Sequence, residues 1–231
     1  MGAQRARVDE IEGAASGTTL SQRAYDRFKA ALFEGRIEAG AFLSQAELVA
    51  LLGVPVGPLR DALHVLQAEG LVSIRARSGI EIAKADYALV RNTYQLRQLL
   101  ERSAVRYFAE TAPLARVKEM EAGHRAVLSD MRGREITREM ARRVEQVDFG
   151  FHHQVIGVLN NQMVHRAYKQ ANDFVQLIRA DRLYGFSFAM IERTMVEHLE
   201  IIAAFRKRDP DAAEAALERH FARAMQRSMG M

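Results

Sequence analysis

Four side chains in the carboxy-terminal part of this 231-residue chain have the types and spacing of a metal site: Asp148, His152, His198 and His220. Asp148 and His152 are four residues apart, which on a helix stacks them one turn above each other. They fall on the stripe of Val144, Phe151, Val155 and Leu159, whose spacings of three, four and seven mark the buried side of an amphipathic helix. His198 shares a stripe with Met195, Leu199 and Ile202, and His220 shares one with Ala213, Ala216, Leu217 and Ala224. Buried polar groups of this kind need partners, because an unsatisfied one costs about 1–3 kcal/mol.

The elements that carry them suggest where those partners are. The run "MVEHLEIIAAFRKRDPDAAEAALERHFARAM" predicts a helical hairpin, with Asp209 as N-cap and Pro210 in the first position of the last helix. His198 lies eleven residues before Asp209 and His220 eleven after it. Antiparallel helices rise equally per residue, so the two imidazoles are expected level across the hairpin. One carboxylate and three imidazoles inside a helical bundle suit a divalent ion of the Zn, Ni, Mn, Co or Fe class. The competing expectation is three ordinary core histidines held by hydrogen bonds. His64, His124, His153 and His165 lack this stripe logic and are expected at the surface or behind the ligands.

Composition sets the outer bounds. Cysteine is absent, which excludes disulfides, thiolate catalysis and cysteine metal sites, and fits a cytoplasmic location. No apolar run approaches 18 residues and no signal-peptide pattern opens the chain, so neither a membrane span nor secretion is expected. The formal net charge of +4 is too mild to argue for nucleic acid by itself. Residues 1–17, mixed and without an apolar period, read as a flexible arm. The expected architecture is mainly α: a winged helix-turn-helix domain over 18–84 and an all-helical bundle over 86–231.

The amino-terminal third has its own pattern. A helix is predicted from Leu20 to Phe33, closed by Gly35. "SQAE" at Ser44 is a capping box opening a short second helix that stops at Gly53. A third helix has Pro58 in its first turn and ends at Gly70, and "LVSIRARSGIEIA" predicts two short strands around Ser78-Gly79. That order is a winged helix-turn-helix, whose third helix would enter the DNA major groove by its amino-terminal end. Its outward face carries Gly57, Arg60, His64 and Gln67, with Arg60 the foremost contact candidate. The candidate DNA-facing residues are Ser44, Gln45, Val56, Gly57, Arg60, His64, Arg75, Arg77, Ser78 and Gly79. Residues 18–80 hold seven Lys and Arg against six Asp and Glu, so affinity would have to come from local placement.

The stretch "GRIEAGAFLSQAELVALLGVPVGPLRDALHVLQAEGLV" resembles the amino-terminal signature of GntR-family transcription regulators. Pro55 and Val56 depart from it, standing where that family usually has a small polar residue and an arginine, which leaves specificity open. Residues 86–228 resemble the FCD effector-binding domain of the FadR-type branch, through "YQLRQLLE", "D-x-x-F-H" at Asp148 and the two closing histidines. The resemblance implies metal ligation by Asp148, His152, His198 and His220, with a carboxylate effector beside the ion held by Arg97 and Asn161. Arg97 lies on the buried stripe of Val90, Tyr94, Ala104 and Phe108, and an internal pair with Glu101 is its other expected use. The expectation is a non-enzymatic, homodimeric regulator of a palindromic operator, controlled by a small carboxylate metabolite. A purely structural metal, or a metal-dependent hydrolase, are the rival readings.

Overall fold

The computed structural model describes residues 18–75, 79–131, 137–181 and 188–230. It divides into two compact units, the first ending at Asp86 and the second starting at Tyr87. The arm expected over residues 1–17 lies outside the described residues.

The first unit runs α1 (Leu20–Phe33), β1 (Phe42–Leu43), α2 (Gln45–Leu52), α3 (Val56–Ala68), β2 (Val72–Arg75) and β3 (Gly79–Ile82). Thr19 caps α1, and Ser44 caps α2 in a full capping box: its hydroxyl accepts from Glu47 N while the Glu47 carboxylate accepts from Ser44 N at 2.7 Å. Gly53, at φ +62, turns the chain out of α2. Arg27 of α1 donates to the carbonyls of Leu52 and Gly53 at 3.1 and 2.9 Å, fastening that turn. Ala24, Phe28, Leu32, Leu48, Leu59, Leu63 and Leu66 fill the core between the three helices. Pro58 sits in the first turn of α3, where its missing N–H has no helical acceptor to lose.

The wing has three strands, in the order β1-β3-β2, all antiparallel. The two-strand expectation missed β1, because two residues cannot display an alternating pattern. Gly79 begins β3 at φ +103, and a Cβ there would stand 2.8 Å from the Leu43 carbonyl oxygen. Glycine is therefore required for β1 and β3 to meet.

The second unit has six helices among the described residues: α4 (Tyr87–Thr111), α5 (Leu114–Met131), α6 (Arg138–Gly157), α7 (Gln162–Ala180), α8 (Phe188–Lys207) and α9 (Pro210–Ser228). α9 packs on α4 and α8, α5 packs on α8 and α6, and α4 also touches α6 and α8. The α8–α9 hairpin turns at Arg208, in the left-handed region at φ +57, and Asp209 accepts from Ala212 N at 2.9 Å as N-cap. Leu159, assigned by periodicity to the α6 stripe, lies beyond the end of that helix. Val127, Met131, Val144, Ile191 and Met195 form an apolar cluster where α5, α6 and α8 meet. Among the described residues, no single helix is long and apolar enough to cross a membrane.

Candidate functional site

Asp148 and His152 face inward from α6, His198 from α8 and His220 from α9, and all four are at most 3 % exposed. His198 Nε2 lies 3.4 Å from His220 Nε2 and 3.4 Å from Asp148 Oδ1; His152 Nε2 lies 3.9 Å from the same oxygen. The three imidazoles each bring one nitrogen within 4.8 Å of the others. Two atoms bound to one ion at roughly 2.1 Å sit about 3.0–3.4 Å apart, which these separations approach.

The outer nitrogens are already engaged. His152 Nδ1 donates to Glu101 Oε2 at 2.6 Å, and His220 Nδ1 donates to Glu197 Oε2 at 2.9 Å. His198 Nδ1 lies 3.0 Å from Nε2 of His124. A neutral imidazole carries one N–H, so the rings of His152 and His220, once neutral, turn bare Nε2 lone pairs inward. Asp148 Oδ1, fully buried, has no hydrogen-bond partner. The lone pairs of His152 and His220 thus converge with Asp148 Oδ1 on one point. A cation relieves that arrangement, and this donor set fits a divalent metal.

Electrostatics agree. Burial holds His152 and His198 well below the usual imidazole range, keeping both rings neutral. Burial alone would raise Asp148, but the Arg179 guanidinium, 2.5 Å from its Oδ2, outweighs that and keeps the carboxylate ionised. Burial opposes ionisation of Glu197 too, yet hydrogen bonds from His220 and Arg227 bring it down to about 2. Arg227 grips Glu197 with two bonds of 2.8 and 2.9 Å.

Arg97 is 2 % exposed and donates to Glu101 Oε1 at 2.8 Å. Burial pushes Glu101 up to about 7 against the pull of Arg97. The 2.8 Å contact is the internal pair with Glu101 expected for Arg97. Arg97 Nη2 nevertheless has no hydrogen-bond partner. It lines a cavity of about 30 Å³ with Tyr94, Arg179, Thr194, His220 and Arg227, room for only a water or two as it stands. Asn161 is not brought there. It is exposed, and its side-chain oxygen accepts from Met163 N and Val164 N at the start of α7.

Of the remaining histidines, His64, His153 and His165 are exposed, whereas His124 is buried against His198. His124 thus takes the second of its two expected places, behind His198, whereas the contacts of Glu101 with His152, of Glu197 with His220 and of Arg179 with Asp148 had no counterpart in the sequence reading. Glu197 offered one signal, an acid beside His198 in a helix that buries two adjoining faces.

On the first unit, Val56, Gly57 and Arg60 are exposed in the amino-terminal half of α3, and His64 is exposed just past its middle. Arg60 Nε donates to Gln45 Oε1 at 3.2 Å, linking α3 to α2. Ser44 is occupied as the α2 cap, and Arg75 pairs with Glu81 at 2.9 Å across the wing. Arg77 and Ser78 lie outside the described residues.

A winged helix-turn-helix followed by a helical bundle is the domain order of DNA-binding transcription regulators, and the family matches bear it out. The family of bacterial regulatory proteins called gntR matches residues 20–82, and the FCD domain matches residues 92–223. The chain belongs to the GntR family, in its FCD-domain branch. It is 27% identical over 207 residues to the HTH-type transcriptional repressor RspR of Escherichia coli (strain K12), covering 87% of this chain and 85% of that protein. It is 26% identical over 215 residues to a probable D-xylose utilization operon transcriptional repressor of Paenarthrobacter nicotinovorans, covering 89% and 87%. The fold is also that of E. coli McbR/YncC, with a TM-score of 0.72 at 17% identity over 92% of this chain and 98% of that one. A GntR regulator structure from Rhodococcus sp. RHA1 gives 0.71 at 20%, over 91% and 97%. The family is one of transcription regulators, not of enzymes.

Proposed function

We propose that this regulator's grip on DNA is set by a small carboxylate metabolite bound beside a divalent ion in the second unit. Asp148, His152, His198 and His220 would hold the ion, and the ion would supply a positive anchor for a carboxylate oxygen. The observation that carries the reading is the convergence of buried imidazole nitrogens on Asp148 Oδ1, an acceptor left without a donor. Arg97, whose Nη2 is buried and unpartnered on the cavity beside His220, is the second contact for the acid. Arg60 and the exposed start of α3 would read an operator, with two copies of the chain on two palindromic half-sites in the cytoplasm. The acid favours one conformation and DNA another, so each lowers the affinity for the other by the same factor.

A second reading has its own observation. The cavity beside Arg97 measures only about 30 Å³, which favours an ion that is purely structural. One experiment separates the two. Gel-shift titrations with metal-loaded and chelator-stripped protein, with and without a panel of mono-, di- and tricarboxylates, report both dependences. An acid that shifts operator affinity only in the loaded protein supports the sensor. Loss of folding on chelation with no response to any acid supports the structural ion. Full operator binding, an unchanged melting temperature and no bound metal would overturn both.

A further inference from the structure

We infer that His124 is a positioning residue: through a one-way chain of two hydrogen bonds it holds His198 in the tautomer whose bare Nε2 can bind an ion. The inference rests on the metal reading above for its consequence, but the chain itself follows from groups in the protein.

His124 sits on α5 and is 2 % exposed. Its Nδ1 lies 2.7 Å from the Met120 carbonyl oxygen, one turn earlier. A carbonyl oxygen only accepts, so Nδ1 of His124 must carry the proton. The groups facing the ring from its neighbours are the Phe151 ring of α6, edge-to-face at 5.5 Å, and the His198 ring of α8 at 5.2 Å. Among the described residues no carboxylate makes an ion pair with it. Burial disfavours the imidazolium and outweighs the pull of the Met120 carbonyl and of the more distant Asp148 carboxylate, which keeps His124 neutral.

A neutral ring protonated at Nδ1 has a lone pair at Nε2. That lone pair lies 3.0 Å from His198 Nδ1, so His198 Nδ1 must be the donor. His198 then has its single proton on the outer side, and its Nε2 points bare toward His220 Nε2 and Asp148 Oδ1, each 3.4 Å away. The direction of every bond is forced by the first acceptor, a backbone oxygen that cannot reverse. His152 and His220 reach the same tautomer by another means, each donating to a carboxylate. His198 is held by an uncharged partner, so the shell has two acid-backed ligands and one backed only by imidazole.

The test uses the full-length protein. In metal-free wild type, two-bond ¹⁵N–¹H spectra should report Nδ1–H on both His124 and His198. Replacing His124 by Phe keeps a ring but removes both nitrogens, and zinc affinity by competition with a chelating dye should fall about 10- to 100-fold. The same spectra should show His198 losing its preference for Nδ1–H. His124→Gln, whose amide oxygen can accept from Nδ1, should restore most of the affinity. A proton on Nε2 of His198 in wild type, or unchanged zinc affinity in His124→Phe, overturns the assignment. If His124→Phe does not fold, the wild-type spectrum decides alone. Wild type that binds no zinc yet shows both Nδ1 protons would count against the metal centre and not against the chain of bonds.

Discussion

At the scale of single residues, the second unit depends on charges that are safe only in company. Arg97 and Glu101 are both almost wholly buried and joined at 2.8 Å. Arg97→Ala would leave Glu101 beside His152 without its cation, and the expected loss is about 3–5 kcal/mol in urea unfolding. A loss under 1 kcal/mol would mean the pair is not buried as described. His220→Ala removes one inward nitrogen and leaves Glu197 with Arg227 and the more distant Arg223. Elemental analysis should find less than half the wild-type metal, and the melting temperature of the metal-loaded protein should drop. Full occupancy in that variant would exclude His220 as a ligand.

At the scale of elements, the first unit is held in order by caps and turns. The Ser44–Glu47 capping box is exposed, so Ser44→Ala is expected to cost about 0.5–2 kcal/mol without rearranging the core. Chemical denaturation followed by helix signal measures it. These local devices were legible in the sequence because each rests on residues close in the chain: "SQAE", Pro58, Gly70 and Asp209-Pro210 all stand at the ends they suggested. The level pairing of His198 with His220 was legible for the same reason, since a hairpin converts sequence distance into height. Partners drawn from distant helices were not. Nothing near Asp148 names Arg179, and nothing near His198 names His124, because those contacts depend on how helices cross. Asn161 stands apart from the cluster. The resemblance implies an effector contact for Asn161, but its side-chain oxygen accepts from the backbone at the start of α7.

At the scale of the whole molecule, two behaviours follow. Metal-free protein should lose stability as pH falls below about 6.5. The unfolded chain takes protons on His152 and His198 there, while burial keeps the folded rings neutral, so the unfolded state binds more. Each ring contributes about 1.4 kcal/mol per pH unit. Glu101 works the other way: its folded value near 7 lies above its unfolded value of 4.5, so over that interval protonation favours the fold. His124, which burial also holds below the usual imidazole range, adds to the decline, so the net expectation is a stability that falls from pH 6.5 to 5. A flat or rising melting temperature across that range would contradict the buried neutral rings. On the DNA side, Arg60→Ala should weaken operator binding by about 1–3 kcal/mol in a gel shift at fixed salt. An unchanged affinity would remove Arg60 from the interface.

The symmetry of the α8–α9 hairpin about Asp209 has a consequence for how this domain can vary. Inserting a single amino acid between His198 and the bend would swing that ring by about 100° around the helix axis, off the face it shares with Asp148 and into the register position that buried Glu197 now holds. Drift in length should therefore be intolerable along those two arms, whereas the joints between other helices can absorb it, and the count from one histidine to the other works as a ruler the protein must keep.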